Sequence, residues 1–231
     1  MIISIIIPTL NEEKNIFKLY DEIEKKIKCR SYEIIYVDDD SSDKTQNNIL
    51  SLKKRKKNVK YLFRKQKNLS TAFLDGIKIS ESKYVVLMDA DLQHSPNDIN
   101  ILYNTIKKND LDIVIGSRFL KNSSNYSGSI KSIIRLSLSK SFIFFINFLF
   151  GLNVTDPLAG FFIAKKKSLK NKKSLYKKGF KILLDFLIVN KKKLKVKDVP
   201  IKVNKRLYGN SKLNFKIFYL FMKQCYFYLS K

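Results

Sequence analysis

The sequence predicts an α/β domain folded around a mostly parallel sheet, and three observations lead there. Short apolar, β-rich runs alternate with amphipathic helical stretches through the first half of the chain. The runs are nearly continuously apolar, as strands covered on both faces are. Each run is followed by polar or acidic residues, at the carboxyl ends of strands where open α/β sheets bind their ligands. The 231 residues suit one large domain or one domain with an appendage, and 45% hydrophobic with 13% aromatic content builds a sizeable core and excludes intrinsic disorder.

Strands are predicted over Ile2 to Pro8, Glu33 to Asp38, Val59 to Phe63, Lys83 to Met88 and Asp112 to Ser117. Helices are expected between them, over Glu12 to Lys28, Asp43 to Lys54, Ser70 to Ser82 and Asn97 to Lys108. Ser95-Pro96 marks the start of the fourth helix as a cap residue followed by a first-turn proline. Beyond Arg118 the pattern loosens. Ser129 to Phe150 reads as a long helix, very apolar from Phe142 onward but interrupted by Lys131, Arg135 and Lys140. It is too short and too charged to span a bilayer and suited to lie in its surface. Asp156 to Phe162 reads as a turn entering a short strand, Gly179 to Val189 as a helix and Lys195 to Val203 as a last strand. Asn214 to Leu229, aromatic-rich with Lys216 and Lys223, is a second interfacial helix. The expected division is residues 1–213 as one catalytic domain, including the helix over 129–150, and 214–231 as an aromatic, basic membrane-interface helix. No repeat, linker, transmembrane span or cleaved leader is expected.

Charge is the strongest compositional signal, with 46 Lys+Arg against 20 Asp+Glu. Residues 165–231 hold 21 of the basic residues and only Asp185 and Asp198 as acids. Such a tail is drawn to polyanions, whether nucleotide, nucleic acid or anionic lipid. A nucleic-acid-binding protein is the rival from another class, but no binding module is recognisable. A bias toward lysine accounts for part of the charge, yet not for where the six arginines stand. Cys29 and Cys225 make neither a disulfide framework nor a zinc site, which points to the reducing cytosol. No Walker A sequence or glycine-rich dinucleotide fingerprint is present, which argues against an NTPase or a Rossmann dehydrogenase. His94 is the only histidine and lacks the context of a nucleophile-activating base.

The chemistry gathers at the strand ends. Asp89 and Asp91, two apart after an apolar strand, point to one side if the backbone is extended. As hard oxygen donors they suit Mg²⁺ or Mn²⁺, bound through one or two carboxylates plus substrate phosphates, and Gln93 adds a carbonyl oxygen. Asp38 and Asp39 end another strand, where carboxylates accept hydrogen bonds from ribose hydroxyls or base N–H groups, or cap the next helix, for which Asp43 is better placed. Asp40 stands where a tight turn favours glycine. In a lysine-rich chain an arginine marks a site that needs a planar, bidentate fork for phosphate. Arg118, Arg135 and Arg206 fall in motif-like segments, whereas Arg30, Arg55 and Arg64 fall in apparently ordinary surface sequence.

Together these segments resemble the family-2 glycosyltransferases of the GT-A fold, and more narrowly the polyprenyl-phosphate (dolichol-phosphate) mannose synthases. The matching pieces are Ile6 to Glu13, Val37 to Ser41, Leu69 to Ala72 with Gly76, Asp89 to His94, Gly116 to Phe119, Asp156-Pro157 with Gly160-Phe161, Gly179 to Asp185, Val199 to Ile201, and Arg206 with Gly209 and Ser211 to Leu213. The resemblance implies that Pro8, Asn11, Glu12, Val37 and Asp39 hold the nucleoside of a sugar donor, with Ala90 among the donor contacts. It implies that Asp89, Asp91 and Gln93 bind the metal carrying the diphosphate. Arg118, Arg135, Arg206 and Lys212 would grip phosphates of donor and acceptor, and Asp91, Arg118 and Asp156 would serve catalysis, Asp156 as fallback base. Asp40, Asn68 and Phe162 depart from the family pattern at turn and rim positions.

The implied reaction is inverting transfer of a sugar, mannose from GDP-mannose in the preferred reading, to a polyprenyl phosphate. A phosphate monoester carrying about −1.5 to −2 charges attacks without a strong base and needs positioning and charge stabilisation. The enzyme would be peripheral on the cytoplasmic face of a membrane, held by charge and by its two apolar helices or by an anchoring partner protein. The alternatives are a UDP-sugar-dependent glucosyl- or aminosugar transferase, a family-2 transferase with another acceptor, and an inactive membrane adaptor.

Overall fold

A computed structural model describes residues 1–66, 68–121, 123, 130–169, 174–176, 178–191, 193–204 and 215–230, with backbone only over 130–138 and 215–217. Seven strands form one sheet: β1 (Ile3–Thr9), β2 (Tyr32–Asp38), β3 (Val59–Phe63), β4 (Tyr84–Leu87), β5 (Ile113–Ser117), β6 (Phe162–Lys165) and β7 (Val196–Pro200). Their order is β3-β2-β1-β4-β6-β5-β7. Only β6 runs antiparallel to its neighbours, β4 and β5. The helices are α1 (Ile16–Lys26), α2 (Thr45–Arg55), α3 (Leu69–Ile79), α4 (Asn97–Lys108), α5 (Ile130–Phe150), α6 (Ile182–Val189) and α7 (Phe215–Leu229).

The continuous apolarity of β1 follows from burial on both faces. Ile3, Ile5 and Ile7 join a core with Ile16, Leu19 and Ile23 of α1, Ile49 and Leu52 of α2, and Ile99, Leu102 and Ile106 of α4. Ile6 points the other way, into a core with Ala72, Phe73 and Ile77 of α3 and Ile182, Leu183 and Phe186 of α6. A third cluster, including Ile146, Phe150, Leu184, Phe221 and Cys225, ties α5 and α7 to α6. Burying side chains of this size contributes about 1.5–3 kcal/mol each, so the three clusters dominate the stabilising side of folding.

Several boundaries differ from expectation for local reasons. α1 starts at Ile16 rather than Glu12, because Asn11, Glu12 and Glu13 are bonded instead to the loop after β2. α4 begins where expected, but no side chain caps it; the carbonyl of Ser95 accepts from Asp98 N at 2.9 Å. α3 is capped by Asn68, whose side chain accepts from Thr71 N at 2.9 Å. β7 ends at Pro200 because Ile201 to Asn204 turn across to the loop after β4: His94 bridges Val203, and Asn204 N donates to Gln93 O at 2.9 Å.

Topology decides what converges. The strand order changes direction between β1 and β4, a switch point of the kind that opens a crevice beyond the strands' carboxyl ends. Because β6 is antiparallel, the segment before it, Asp156 to Phe161, arrives at that same edge.

Candidate active site

The loops after β1 and β2 are laced together. Asn11 N donates to Ser41 Oγ at 2.8 Å, and Asn11 Oδ1 accepts from Ser42 N at 2.9 Å. Glu12 N donates to Thr45 Oγ1 at 2.8 Å. Asn11 and Asp40 adopt positive φ, 55° and 63°, and so does Leu92 in the loop after β4, at 60°. Left-handed non-glycine backbone costs energy, and three of the four such residues among those described lie at this edge, the fourth being Asp110 in the turn before β5. Asp40 thus holds its turn as an aspartate, without glycine.

Asp38 and Asp39 divide their duties. Asp38, fully buried, accepts from Thr9 Oγ1 at 2.9 Å, Ser41 N at 3.0 Å and Gln46 Nε2 at 2.8 Å, and is consumed in holding the two loops. Asp39 accepts from Arg64 Nε at 2.8 Å and Asn68 N at 2.7 Å. Burial raises its carboxyl above the ordinary range, and Arg64 works against that rise. Arg64 is no ordinary surface residue. Its side chain is 7% exposed and also reaches Asp75 Oδ2 at 2.8 Å and the carbonyl of Asn68 at 3.0 Å. Arg64 too supplies a planar fork that lysine cannot replace, and only its plain sequence context hid it.

Asp89 and Asp91 lie past the end of β4, Asp91 buried and accepting from Gln93 N at 3.1 Å. Ala90 between them is buried. Gly160 leaves room for Asp89: a Cβ there would stand 3.2 Å from Asp89 Oδ2. Two hard carboxylates in a cradle that any side chain would fill, with Gln93 beside them, are a donor set that can hold Mg²⁺ or Mn²⁺. A pair of carboxylates suits an ion whose remaining oxygens come from a substrate.

Arg118, past β5, forks onto Asp156, Nε to Oδ2 at 2.8 Å and Nη2 to Oδ1 at 3.0 Å. Asp156 is fully buried while the Arg118 side chain is 37% exposed, so a buried carboxylate fixes a cation whose side chain is partly open to solvent. His94 stacks on Phe161 with ring centroids 4.8 Å apart, and burial, with Arg118 adding to it, pushes its pKa down to about 4. His94 is thus an uncharged imidazole at neutral pH, stacked beside the loop that carries Asp91. Lys181, at the start of α6, joins the same field. Burial first and Arg118 second lower its pKa to about 8, while Asp89 and Asp156 oppose the shift. Lys181 falls in the matching segment Gly179 to Asp185, but among forty lysines nothing in the sequence assigned it a role of its own.

Pro8 and Val37 sit side by side in the β1–β2 register, at the base of the crevice. The structure thus brings Pro8, Asn11, Glu12, Val37, Asp39, Asp89, Ala90, Asp91, Gln93, Arg118 and Asp156 to one edge. Arg135 lies on α5 with its side chain outside the described residues, and Arg206 and Lys212 lie outside them altogether.

The mostly parallel seven-stranded sheet with its carboxylate-lined edge defines a GT-A-like α/β fold. Residues 4–171 match Glycosyl transferase family 2, and the chain belongs to that family. It is 37% identical, over 98% of its length, to the dolichol-phosphate mannosyltransferase of Pyrococcus furiosus, and spans 63% of that protein, under two thirds. It is 28% identical to the dolichol-phosphate mannosyltransferase of Saccharomyces cerevisiae, over 96% of this chain and 84% of that one. Glucosyl-3-phosphoglycerate synthase from Mycobacterium tuberculosis, solved with Mn²⁺, UDP-glucose and phosphoglyceric acid, superposes with a TM-score of 0.69 at 18% identity, over 97% of this chain and 79% of that one. At that identity the likeness is one of fold.

Proposed function

We propose that the chain transfers a hexosyl group, mannose from GDP-mannose, to a polyprenyl (dolichyl) phosphate with inversion at the anomeric carbon, at the cytoplasmic face of a membrane. The observation that carries this reading is the 37% identity along 98% of the chain to a dolichol-phosphate mannosyltransferase. In this reading Asn11, Glu12 and Asp39 accept from the nucleoside over the Pro8–Val37 floor. Asp89 and Asp91, with Gln93, hold Mg²⁺ or Mn²⁺; when bound, the ion neutralises charge on the leaving diphosphate. Arg118 presents its outward face to phosphate, oriented by Asp156. Because both Asp156 oxygens are engaged by Arg118, Asp156 acts as the holder of that cation rather than as a base. The acceptor phosphate is itself the nucleophile.

A lipid acceptor accounts for the apolar side chains that α5 and α7 leave in solvent. α5 and α7 leave Phe144, Phe145 and Phe148, and Phe218, Tyr219, Met222 and Tyr226, exposed. No helix among the described residues is long and apolar enough to cross a membrane. An aromatic face flanked by lysines suits attachment to an anionic lipid surface by apolar area and charge together, alone or with an anchoring partner protein. The fold neighbour that holds UDP-glucose with Mn²⁺ keeps a UDP-sugar donor as the second reading.

The test is transfer of labelled sugar into a lipid extract from GDP-mannose, UDP-glucose or UDP-N-acetylglucosamine, in parallel, with Mg²⁺ or Mn²⁺. Label from GDP-mannose alone, abolished by Asp91→Ala, is the expected result. Label from a UDP-sugar alone replaces the donor. No transfer from folded, vesicle-bound protein overturns the reading.

A further inference from the structure

The C-terminal helix reaches the catalytic edge through one buried side chain. Gln224 of α7 is fully buried, and its amide nitrogen donates to Asp185 Oδ1 at 2.6 Å and to the backbone carbonyl of Lys181 at 3.1 Å. Gly179 leaves the room: a Cβ there would stand 2.5 Å from Gln224 Oε1. The turn from Gly179 to Lys181 is therefore seated on α7, not merely near it. From that turn the Lys181 side chain runs into the segment before β6, where its ammonium donates to the carbonyl of Leu158 at 2.9 Å. Leu158 is two residues from Asp156, the carboxylate that forks onto Arg118. The ammonium lies within electrostatic reach of Arg118, Asp89 and Asp156. Hydrogen bonds, joined by the Lys181 side chain and the short backbone stretch from Asp156 to Leu158, thus connect α7 with the two cations.

We infer that Lys181 is a phosphate-facing cation of the site and that Gln224 is the positioning residue that holds it there, so that the site is complete only while α7 is docked. The inference rests on the sugar-transfer reading above and deepens it. A buried amide bonded to a backbone carbonyl and to a buried carboxyl fixes its partners' positions, since leaving either group unpaired is costly. The ammonium it positions adds charge where a diphosphate and an acceptor phosphate must meet. The opposite side of α7 carries the exposed aromatics, so the helix that meets the lipid is also the one that sets Lys181.

The experiment separates positioning from attachment by using geranyl phosphate, a water-soluble acceptor that needs no membrane. The donor is whichever nucleotide sugar wild-type protein uses. Lys181→Met is expected to lower kcat about 100-fold and Gln224→Leu about tenfold, each raising the KM for nucleotide sugar and leaving binding to anionic vesicles unchanged. The double variant is expected to be no worse than Lys181→Met alone, as for two residues acting through one group. Gln224→Met, which keeps length without the N–H groups, replaces Gln224→Leu if that variant does not fold. Wild-type turnover by a folded Gln224 variant overturns the inference, and so do losses that multiply or an unaffected Lys181→Met. If wild-type protein uses no donor at all, the transfer reading fails separately. Calorimetric titration with pyrophosphate and Mg²⁺ then decides: weaker binding by both variants sustains the inference, and unchanged binding by Lys181→Met overturns it.

Discussion

Gly160 bears directly on the carboxylate pair. Its missing side chain lets the backbone pass beside Asp89, and Gly160→Ala would set a methyl carbon 3.2 Å from Asp89 Oδ2. The methyl displaces the carboxylate or the turn by a few tenths of an ångström, and catalytic geometry is more sensitive to that than stability is. Transfer activity is expected to fall about tenfold or more while the melting temperature moves little; a large loss of stability with intact specific activity would show the glycine to be structural. Arg64 is the complementary case. Its guanidinium serves Asp39, Asp75 and two carbonyls at once, and lysine supplies neither the plane nor the number of donors. Arg64→Lys is expected to cost about 1–3 kcal/mol by denaturant titration and to raise the KM for the nucleotide sugar. A weaker kcat with unchanged KM would contradict that link to Asp39. These two residues show what the sequence conveyed at this scale. Carboxylates after strands announced themselves, whereas a buried arginine in a plain context and a lysine among many did not, because only the packing around them distinguishes them.

At the scale of elements, legibility followed how local each cause is. The span of helix α4 was read correctly because its apolar spacing lies within its own residues and Pro96 directly precedes it, although Ser95 does not cap it. β6 was foreseen as a strand, but its antiparallel insertion between β4 and β5 depends on partners distant in sequence. That insertion is what delivers Asp156 and Gly160 to the catalytic edge. The packing of α6 against α7 has a similarly non-local consequence. Asp185 is fully buried, and burial pushes its pKa up to about 7, opposed by the hydrogen bonds from Gln224 and Tyr228. Its unfolded-state value is near the ordinary ~3.9. The folded chain therefore holds a proton between about pH 4 and pH 7 that the unfolded chain has lost. Stability linked to Asp185 is full below pH 4 and is lost as pH rises through about 7. Asp185→Asn keeps the acceptor oxygen and removes the titration. It is expected to flatten the pH dependence of unfolding across that window and to stabilise the protein above pH 7, by at most about 4 kcal/mol. Identical pH profiles for the variant and the wild type would place the proton elsewhere.

Across the described residues the polar edge and the aromatic face lie on different elements. The polar edge gathers carboxylates, Arg118 and Lys181, while α5 and α7 bring an aromatic face whose inner side is locked to α6 through Ile146, Phe221 and Leu184. Attachment by such a face has two separable components. The charge component is screened by salt, falling off over about 8–10 Å at physiological ionic strength, whereas buried aromatic area is insensitive to it. Binding to anionic vesicles is therefore expected to weaken but persist as salt rises. Phe144→Glu with Phe148→Glu, at positions 74% and 78% exposed, is expected to abolish the salt-resistant part without unfolding the chain. Transfer to a long-chain acceptor in vesicles would then fall steeply, while transfer to a water-soluble acceptor would be kept. Vesicle binding that vanishes with salt in the wild type would assign attachment to the lysines alone. Equal loss on both acceptors would mean that the aromatic face shapes the catalytic edge rather than meeting the lipid.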